Sequence, residues 1–286
     1  MNDLNVSIVT HSTPVEELVK AVGCVLRSSR VNRIDILDNS GTAIIEEYKK
    51  NLSGYEDKVR IKEIDNRGYG AGHNISIEDS IESNVCYHLV MNSDVWWKGD
   101  ILSILCAEMD RRPEVGQLMP KVYYPDGALQ LTARRLPTPY DVFAKRFLPS
   151  FITKNRINKY LLAEANHDIE INSPYLLGSF MLLRTDALKE TGIFDERFFM
   201  YPEDIDLTRR LHRKYKTIYY PEVSIIHEHR AASRRNLRML WIHSSNMIRY
   251  FNKWGWWIDP ERRRMNKELD SAIRIISKDK LPLSRG

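Results

Sequence analysis

Residues 198–210 read FFMYPEDIDLTRR: aromatics and a methionine run into a proline, then three carboxylates, then two arginines. Carboxylates beside an aromatic run are costly to bury unless they are paired, neutral or in use. Pro202 suits the first turn of a helix, where acidic residues are favoured by the free N–H groups and the helix dipole. Helical spacing then separates the three acids. Asp206 has Arg209 and Arg210 at i+3 and i+4, which predicts ion pairing, and Glu203 shares that side at the helix start. Asp204 lies on the other side, with Leu207 and Thr208 as its i+3 and i+4 neighbours. Asp204 thus has no local cation, and desolvation beside Phe198, Phe199 and Tyr201 would raise its pKa, which would suit a general base near neutral pH. Asp204 is the candidate base. The competing reading is an ordinary first-turn acid.

A second set of polar residues follows apolar runs. Thr10–His11, Asp38–Asn39–Ser40, Asp65–Asn66–Arg67 and Asn92–Ser93–Asp94 each close a stretch with strand character. Polar caps and turns commonly follow strands, yet four such groups on one sheet edge favour a ligand site. Asp94 is a candidate ligand for a hard cation, Mg²⁺ or Mn²⁺, which needs few protein oxygens when a substrate diphosphate supplies others. His227, in IIHEHR at the end of the last predicted strand, could join it or contact phosphate. A helix-capping aspartate and a partly exposed, satisfied histidine are the plain alternatives.

The elements that must position these groups alternate through the first hundred residues. NVSIVTH, RIDILDNS, VRIKEID and CYHLVMNSD read as strands. PVEELVKAVGCVLRSS, AIIEEYKKN, GAGHNISIEDSI and GDILSILCAEMDRR read as the helices after them. That alternation predicts an α/β fold, a parallel sheet with helices on both faces. Residues 126–173, broken by Pro137, Pro139 and Pro149, read as an irregular insertion with some helix, not a separate domain. YLLGSFMLLR returns to strand, TDALKETG is a short helix closed by Gly192, and KTIYYP and VSIIHEH predict two final strands. A helical pattern begins after Ser233, with Leu237, Leu240, Trp241, Ile248 and Phe251 on one side and the arginines largely off it.

From Arg230 onward there are 14 Lys and Arg against 5 Asp and Glu, whereas the whole 286-residue chain is +5. The basic character therefore belongs to a C-terminal segment, and the rest is net acidic. That segment also carries Trp241, Trp254, Trp256 and Trp257. It reads either as a peripheral contact with an anionic membrane or as a helix packed on the domain with solvated arginines. Nucleic-acid binding is excluded as the working expectation, since no recognition motif accompanies the charge. No run reaches the roughly 18 apolar residues of a membrane span, and MNDLNVSIV lacks a secretion signal's basic start, so a cytoplasmic protein is expected. Cys24, Cys86 and Cys106, odd in number and set among apolar residues, read as reduced core thiols. THSTP after the first strand has no glycine, Gly68–Tyr69–Gly70–Ala71–Gly72 has the wrong spacing for a dinucleotide fingerprint, and there is no P-loop.

Taken in order, VSIVTH, LDNSG, DNRGYGAGHN, LVMNSDV, LLGSFMLLRTDALKETGIFDERFFMYPEDIDLTRRL and IIHEH resemble family 2 glycosyltransferases, nearest the bacterial rhamnosyltransferase-like branch. The resemblance covers roughly residues 5 to 255. It implies a GT-A nucleotide-diphospho-sugar transferase fold: a mixed, mostly parallel sheet in a catalytic domain over 1–230, followed by a basic amphipathic helical extension over 231–286. Residues 1–100 would form the nucleotide-binding half and 101–230 the acceptor and catalytic half.

By the same resemblance Thr10 and Asp38 would contact base and ribose, with His11, Asn66, Arg67, Gly68, Asn74 and Asn92 in the same nucleotide pocket. Asp94 would hold the divalent metal, with Asn92 at the first position of the family's D-x-D, and His227 would complete the metal or diphosphate site. Gly178, Ser179 and Glu203 would form the acceptor site beside Asp204. The implied reaction is inverting transfer of a sugar, rhamnose in this branch, from a nucleoside-diphosphate donor to a glycan or lipid-linked acceptor in cell-surface polysaccharide synthesis. The enzyme would then work at the inner face of the cytoplasmic membrane. A non-catalytic nucleotide or glycan binder remains open. A sugar-nucleotide pyrophosphorylase would need a glycine-rich, basic loop that THSTP does not supply.

Overall fold

A computed structural model of the chain describes residues 3–147, 150–228 and 237–279. The first half alternates as expected: β1 (Leu4–Thr10), α1 (Val15–Val25), β2 (Val31–Asp38), α2 (Thr42–Asn51), β3 (Val59–Glu63), α3 (Tyr69–Glu82) and β4 (Tyr87–Met91). After β5 (Val95–Trp96) and α4 (Ile101–Arg111) comes β6 (Val115–Tyr123), a strand absent from the sequence reading. The remaining main strands are β10 (Phe180–Arg184) and β11 (Lys216–His227), joined through the helices α7 (Thr185–Thr191) and α8 (Glu203–Leu211).

The sheet runs β3-β2-β1-β4-β10-β6-β11-β5. β1 to β4 are mutually parallel, β6 and β11 are parallel, and β10 runs antiparallel between β4 and β6. Side chains alternate across it with the strand period of two. Leu89 and Met91 of β4 and Leu182 of β10 enter one apolar cluster with α1, α2 and α4. Val90, Met181 and Leu183 enter the opposite cluster, with α3, α7 and α8. Helices therefore cover both faces.

Two strand readings need correction. KTIYYP and the VSIIH that follows form one continuous strand, β11, whose register against β6 slips between Tyr220 and Ser224. Tyr220 is paired with Pro120 there. Pro120 has no N–H to donate, so a bulge carrying Pro221 sits where the ladder already lacks a bond. β6 itself escapes pattern reading because it is buried on both faces, polar Gln117 included.

The stretch 126–173 contains two helices and short paired strands. β7 (Ala133–Arg134) pairs with β9 (Tyr175–Leu176), β8 (Ile171–Asn172) joins β11, and α5 (Pro139–Phe147) and α6 (Ser150–Tyr160) lie between them. The C-terminal pattern resolves into α9 (Leu237–Trp254) and α10 (Pro260–Asp279). Met247, Tyr250 and Phe251 of α9 and Met265 of α10 share an apolar cluster with Phe198 and Ile205. The predicted apolar side of α9 is thus rotated: Phe251 is buried, but Trp241 and Ile248 are exposed. Arg230, Arg234 and Arg235 lie outside the described residues. Among the described residues no helix is long and apolar enough to cross a membrane. Cys24 and Cys106 are core thiols, whereas Cys86 is exposed at the start of β4, correcting its placement.

Asp206 pairs with Arg210 at 2.9 Å as helical spacing required, but its second cation is Lys253 of α9, not Arg209. Arg209 turns to the α9–α10 junction instead. Its Nη1 and Nη2 donate to the two oxygens of Asp259 at 2.8 and 2.7 Å, and its guanidinium lies 4.0 Å from the Trp254 ring centroid. Both partners of this pair are almost fully buried. Removing one side of a buried, bidentate pair strands the other charge. Arg209→Ala should therefore lower the free energy of unfolding by about 3–5 kcal/mol; urea denaturation checks this, and a loss below about 1 kcal/mol would contradict it.

Candidate functional site

A cavity of about 480 Å³ opens where β9, β10 and the N-terminus of α8 meet the insertion and α9. Of the residues singled out in the sequence, Asn92, Gly178, Ser179, Glu203, Asp204 and His227 line it. Asp204 is buried. Its Oδ2 accepts from the Gly178 N–H at 2.8 Å and from the Tyr175 hydroxyl at 3.4 Å, and its Oδ1 accepts from the Ile205 N–H at 2.7 Å. Gly178 must lack a side chain, because a Cβ would stand 2.8 Å from the Cβ of Asp204.

Burial raises the pKa of Asp204, outweighing the two backbone N–H groups and the nearby Arg134, which favour its charge. Glu203 is raised as well, by burial first and then by the charge of Asp204 beside it. Burial and the Asp204 charge also hold the Tyr175 hydroxyl protonated, so it serves as a donor. Glu203 Oε2 and Ser179 Oγ are buried and make no hydrogen bond among the described residues. Tyr201, two residues before Glu203, takes a φ of +91°, a strained value for a side chain of its size. Its ring meets His243 of α9 edge-on at 4.9 Å.

Tyr69 links the sheet edge to this corner: its hydroxyl donates to Asn92 Oδ1 and to the Gly178 carbonyl, both at 2.9 Å. Asp94 follows β4, and β11 pairs with β5 through His227 and Val95. That register brings His227 Nε2 to 3.3 Å from Asp94 Oδ1, while Nδ1 of the same ring meets Gln130 Oε1 at 2.8 Å. His227 is buried, not partly exposed. Among the described residues no group of three or more His, Cys, Asp or Glu converges as a metal centre.

The other nucleotide-side residues sit along the carboxyl edge of β1 to β4. Thr10 donates to Asp38 across paired strand ends at 2.7 Å, and Ser40 also binds Asp38. His11 meets Asn39 at 2.7 Å in an exposed position. Asn66 is exposed, and Arg67 pairs with Glu196. Gly68 has φ +105° and a Cβ there would meet the Phe199 carbonyl oxygen at 2.3 Å, so only glycine lets these segments touch. Asn74 is buried and braces Phe194 through its backbone N–H and C=O. None of these seven predicted residues lines the cavity at Asp204.

Sequence reasoning missed Tyr69, Arg134, Tyr160, Tyr175, His243 and Met247, all of which line the cavity. Only Tyr69 and Tyr175 carried a signal, Tyr69 lying inside DNRGYGAGHN and Tyr175 immediately before LLGSFM.

No family model matches the chain. It is 29% identical over 201 residues to the N-acetylglucosaminyl-diphospho-decaprenol L-rhamnosyltransferase of Mycobacterium tuberculosis, a match covering 69% of this chain and 66% of that relative. It is 27% identical over 206 residues to the rhamnosyltransferase WbbL of Escherichia coli, covering 68% of this chain and 72% of the relative. Among solved structures, GalNAc-T7 with UDP, GalNAc and Mn²⁺ superposes with a TM-score of 0.59 at 15% identity, over 79% of this chain and 44% of that one. The mannosyltransferase PcManGT of Pyrobaculum calidifontis, with GDP-Man and Mn²⁺, does so with a TM-score of 0.57 at 12% identity, over 98% and 76%. The chain has a GT-A glycosyltransferase fold and is similar in sequence to rhamnosyltransferases. It spans about two thirds of the mycobacterial relative's length.

The raised carboxyls make a stability prediction. Both Asp204 and Glu203 bind protons more tightly folded than unfolded, so their contribution is full below the ordinary carboxylate range and is lost as pH rises through their raised folded values. Asp204→Asn and Glu203→Gln should each stabilise the fold at pH 8, by about 1 kcal/mol or more relative to wild type. The advantage should shrink at pH 4. Urea unfolding at both pH values checks this, and destabilisation of equal size at both would contradict it.

Proposed function

We propose that the chain is an inverting glycosyltransferase that moves a sugar, rhamnose by analogy with its relatives, from a nucleoside-diphosphate donor to a hydroxyl of a glycan or lipid-linked acceptor in cell-surface polysaccharide synthesis. The observation that carries this is Asp204: a buried carboxylate of raised pKa, fixed by Gly178 and Tyr175 and facing a cavity of substrate size. In the reaction Asp204 takes the proton of the acceptor hydroxyl. The acceptor oxygen bonds to the anomeric carbon as the bond from that carbon to the diphosphate breaks, and the nucleoside diphosphate departs. Gly178 fixes the direction of the carboxylate, and burial makes it a better base than an exposed aspartate. Thr10, Asp38 and the edge after β3 are assigned to the nucleoside.

Asp94 and His227 fit a divalent cation, Mg²⁺ or Mn²⁺. A carboxylate and an imidazole converge at 3.3 Å, a set that leaves further positions to substrate oxygens. When bound, the cation supplies positive charge against the departing diphosphate. The exposed Trp241, Trp257 and Ile258 of the basic C-terminal segment support a peripheral contact with an anionic membrane, where a lipid-linked acceptor resides.

Asp204→Asn should lower kcat for sugar transfer by about 10²–10⁴-fold while leaving the donor KM near the wild-type value. Steady-state assay with dTDP-rhamnose and a lipid-linked acceptor measures both. Full transfer activity in the variant would overturn the assignment.

A further inference from the structure

Arg134 occupies β7 directly opposite Tyr175 of β9 and lines the cavity. Its Nε donates to the Leu131 carbonyl at 2.9 Å, and its guanidinium carbon lies 5.7 Å from the Tyr175 ring centroid. Tyr160 also faces it. Among the described residues no carboxylate comes within ion-pair distance of it. Its surroundings make that unusual. The next residue, Arg135, is committed to Asp270, and the buried Arg209 to Asp259. Asp141, on the same cavity wall, is itself committed to Thr138 and Arg156. Asp204 acts on Arg134 electrostatically without pairing with it, and Tyr175 contacts both.

A cation held in a cavity without a counter-charge is expensive, and a guanidinium's planar fork matches a phosphate group. We propose that Arg134 binds a phosphate group carried by the acceptor and so selects phosphate-bearing acceptors. The inference rests on the glycosyltransferase reading above, in which the donor diphosphate belongs to the Asp94–His227 corner. Contacts run from Asn92 through Tyr69 and Gly178 to Asp204, and from Asp204 through Tyr175 to Arg134. Arg134 is thus linked to the base through Tyr175, whereas Asn92 is linked to it through Tyr69 and Gly178. Pro137, Val142 and Met247 on the same wall suit the apolar part of an amphiphilic acceptor.

The test compares two acceptors with the same terminal sugar: N-acetylglucosaminyl diphosphate on a short prenol, and the uncharged octyl glycoside of N-acetylglucosamine. Wild type should prefer the diphosphate by kcat/KM. Arg134→Gln should cut that preference by about 10–100-fold, the size of a lost charge-assisted contact. Arg134→Lys should recover part of it, and the donor KM should not move. Equal losses on both acceptors would overturn the proposal, as would a raised donor KM, which would assign Arg134 to the donor diphosphate. A wild type indifferent to the acceptor's charge would overturn it too. A wild type that neither transfers nor hydrolyses any donor would instead defeat the glycosyltransferase reading, and the proposal with it.

Discussion

The hydrogen bond from the Gly178 N–H to Asp204 Oδ2, 2.8 Å long, is the contact on which the site depends. It ties the turn between β9 and β10 to the first turn of α8. It requires a glycine, because any side chain at 178 would collide with the aspartate it holds. It also fixes a carboxylate where burial opposes its charge, so the acid stays oriented while its proton affinity rises. Glu203, buried alongside, adds to the cost of charging this corner. Such a corner is unfavourable for stability and is tolerated because three apolar clusters anchor the surrounding elements.

The sheet brings the second half of the site into range. β11 carries His227 to its end only after crossing a bulge beside Pro120, and its pairing with β5 then sets that histidine against Asp94. Tyr69, at the start of α3, bridges this edge to Gly178 by donating to both Asn92 and the glycine carbonyl. The far wall is of different origin. It comes from the insertion and from α9, which the Arg209–Asp259 pair and the cluster around Tyr250 hold against α8. The edge of the sheet and the added helices thus meet at one carboxylate.

Much of the sheet was legible because helices separate β1 to β4, α1 and α2 of them amphipathic, and strand and helix periods differ plainly. β6 was not legible, since Gly116, Gln117 and Pro120 break the apolar run although the strand is buried on both faces. β11 read as two strands because Pro221 is a local stop signal whose effect is absorbed by a bulge. The separation of Asp204 from Asp206 was legible from helical spacing alone. That Arg209 leaves Asp206 for Asp259, fifty residues on, was not, because a tertiary partner outcompeted the local one. Arg134 and His243 face the same limit: nothing local marks either as part of a cavity wall.

The central claim is that Asp204 acts as a base whose proton affinity is raised by burial. The pH dependence of kcat/KM for sugar transfer tests it most directly. The account predicts activity that rises with pH along an acid limb whose midpoint lies above the ordinary carboxylate range, and that this limb disappears from the residual activity of Asp204→Asn. A limb centred near pH 4, or an unchanged limb in the variant, would contradict it.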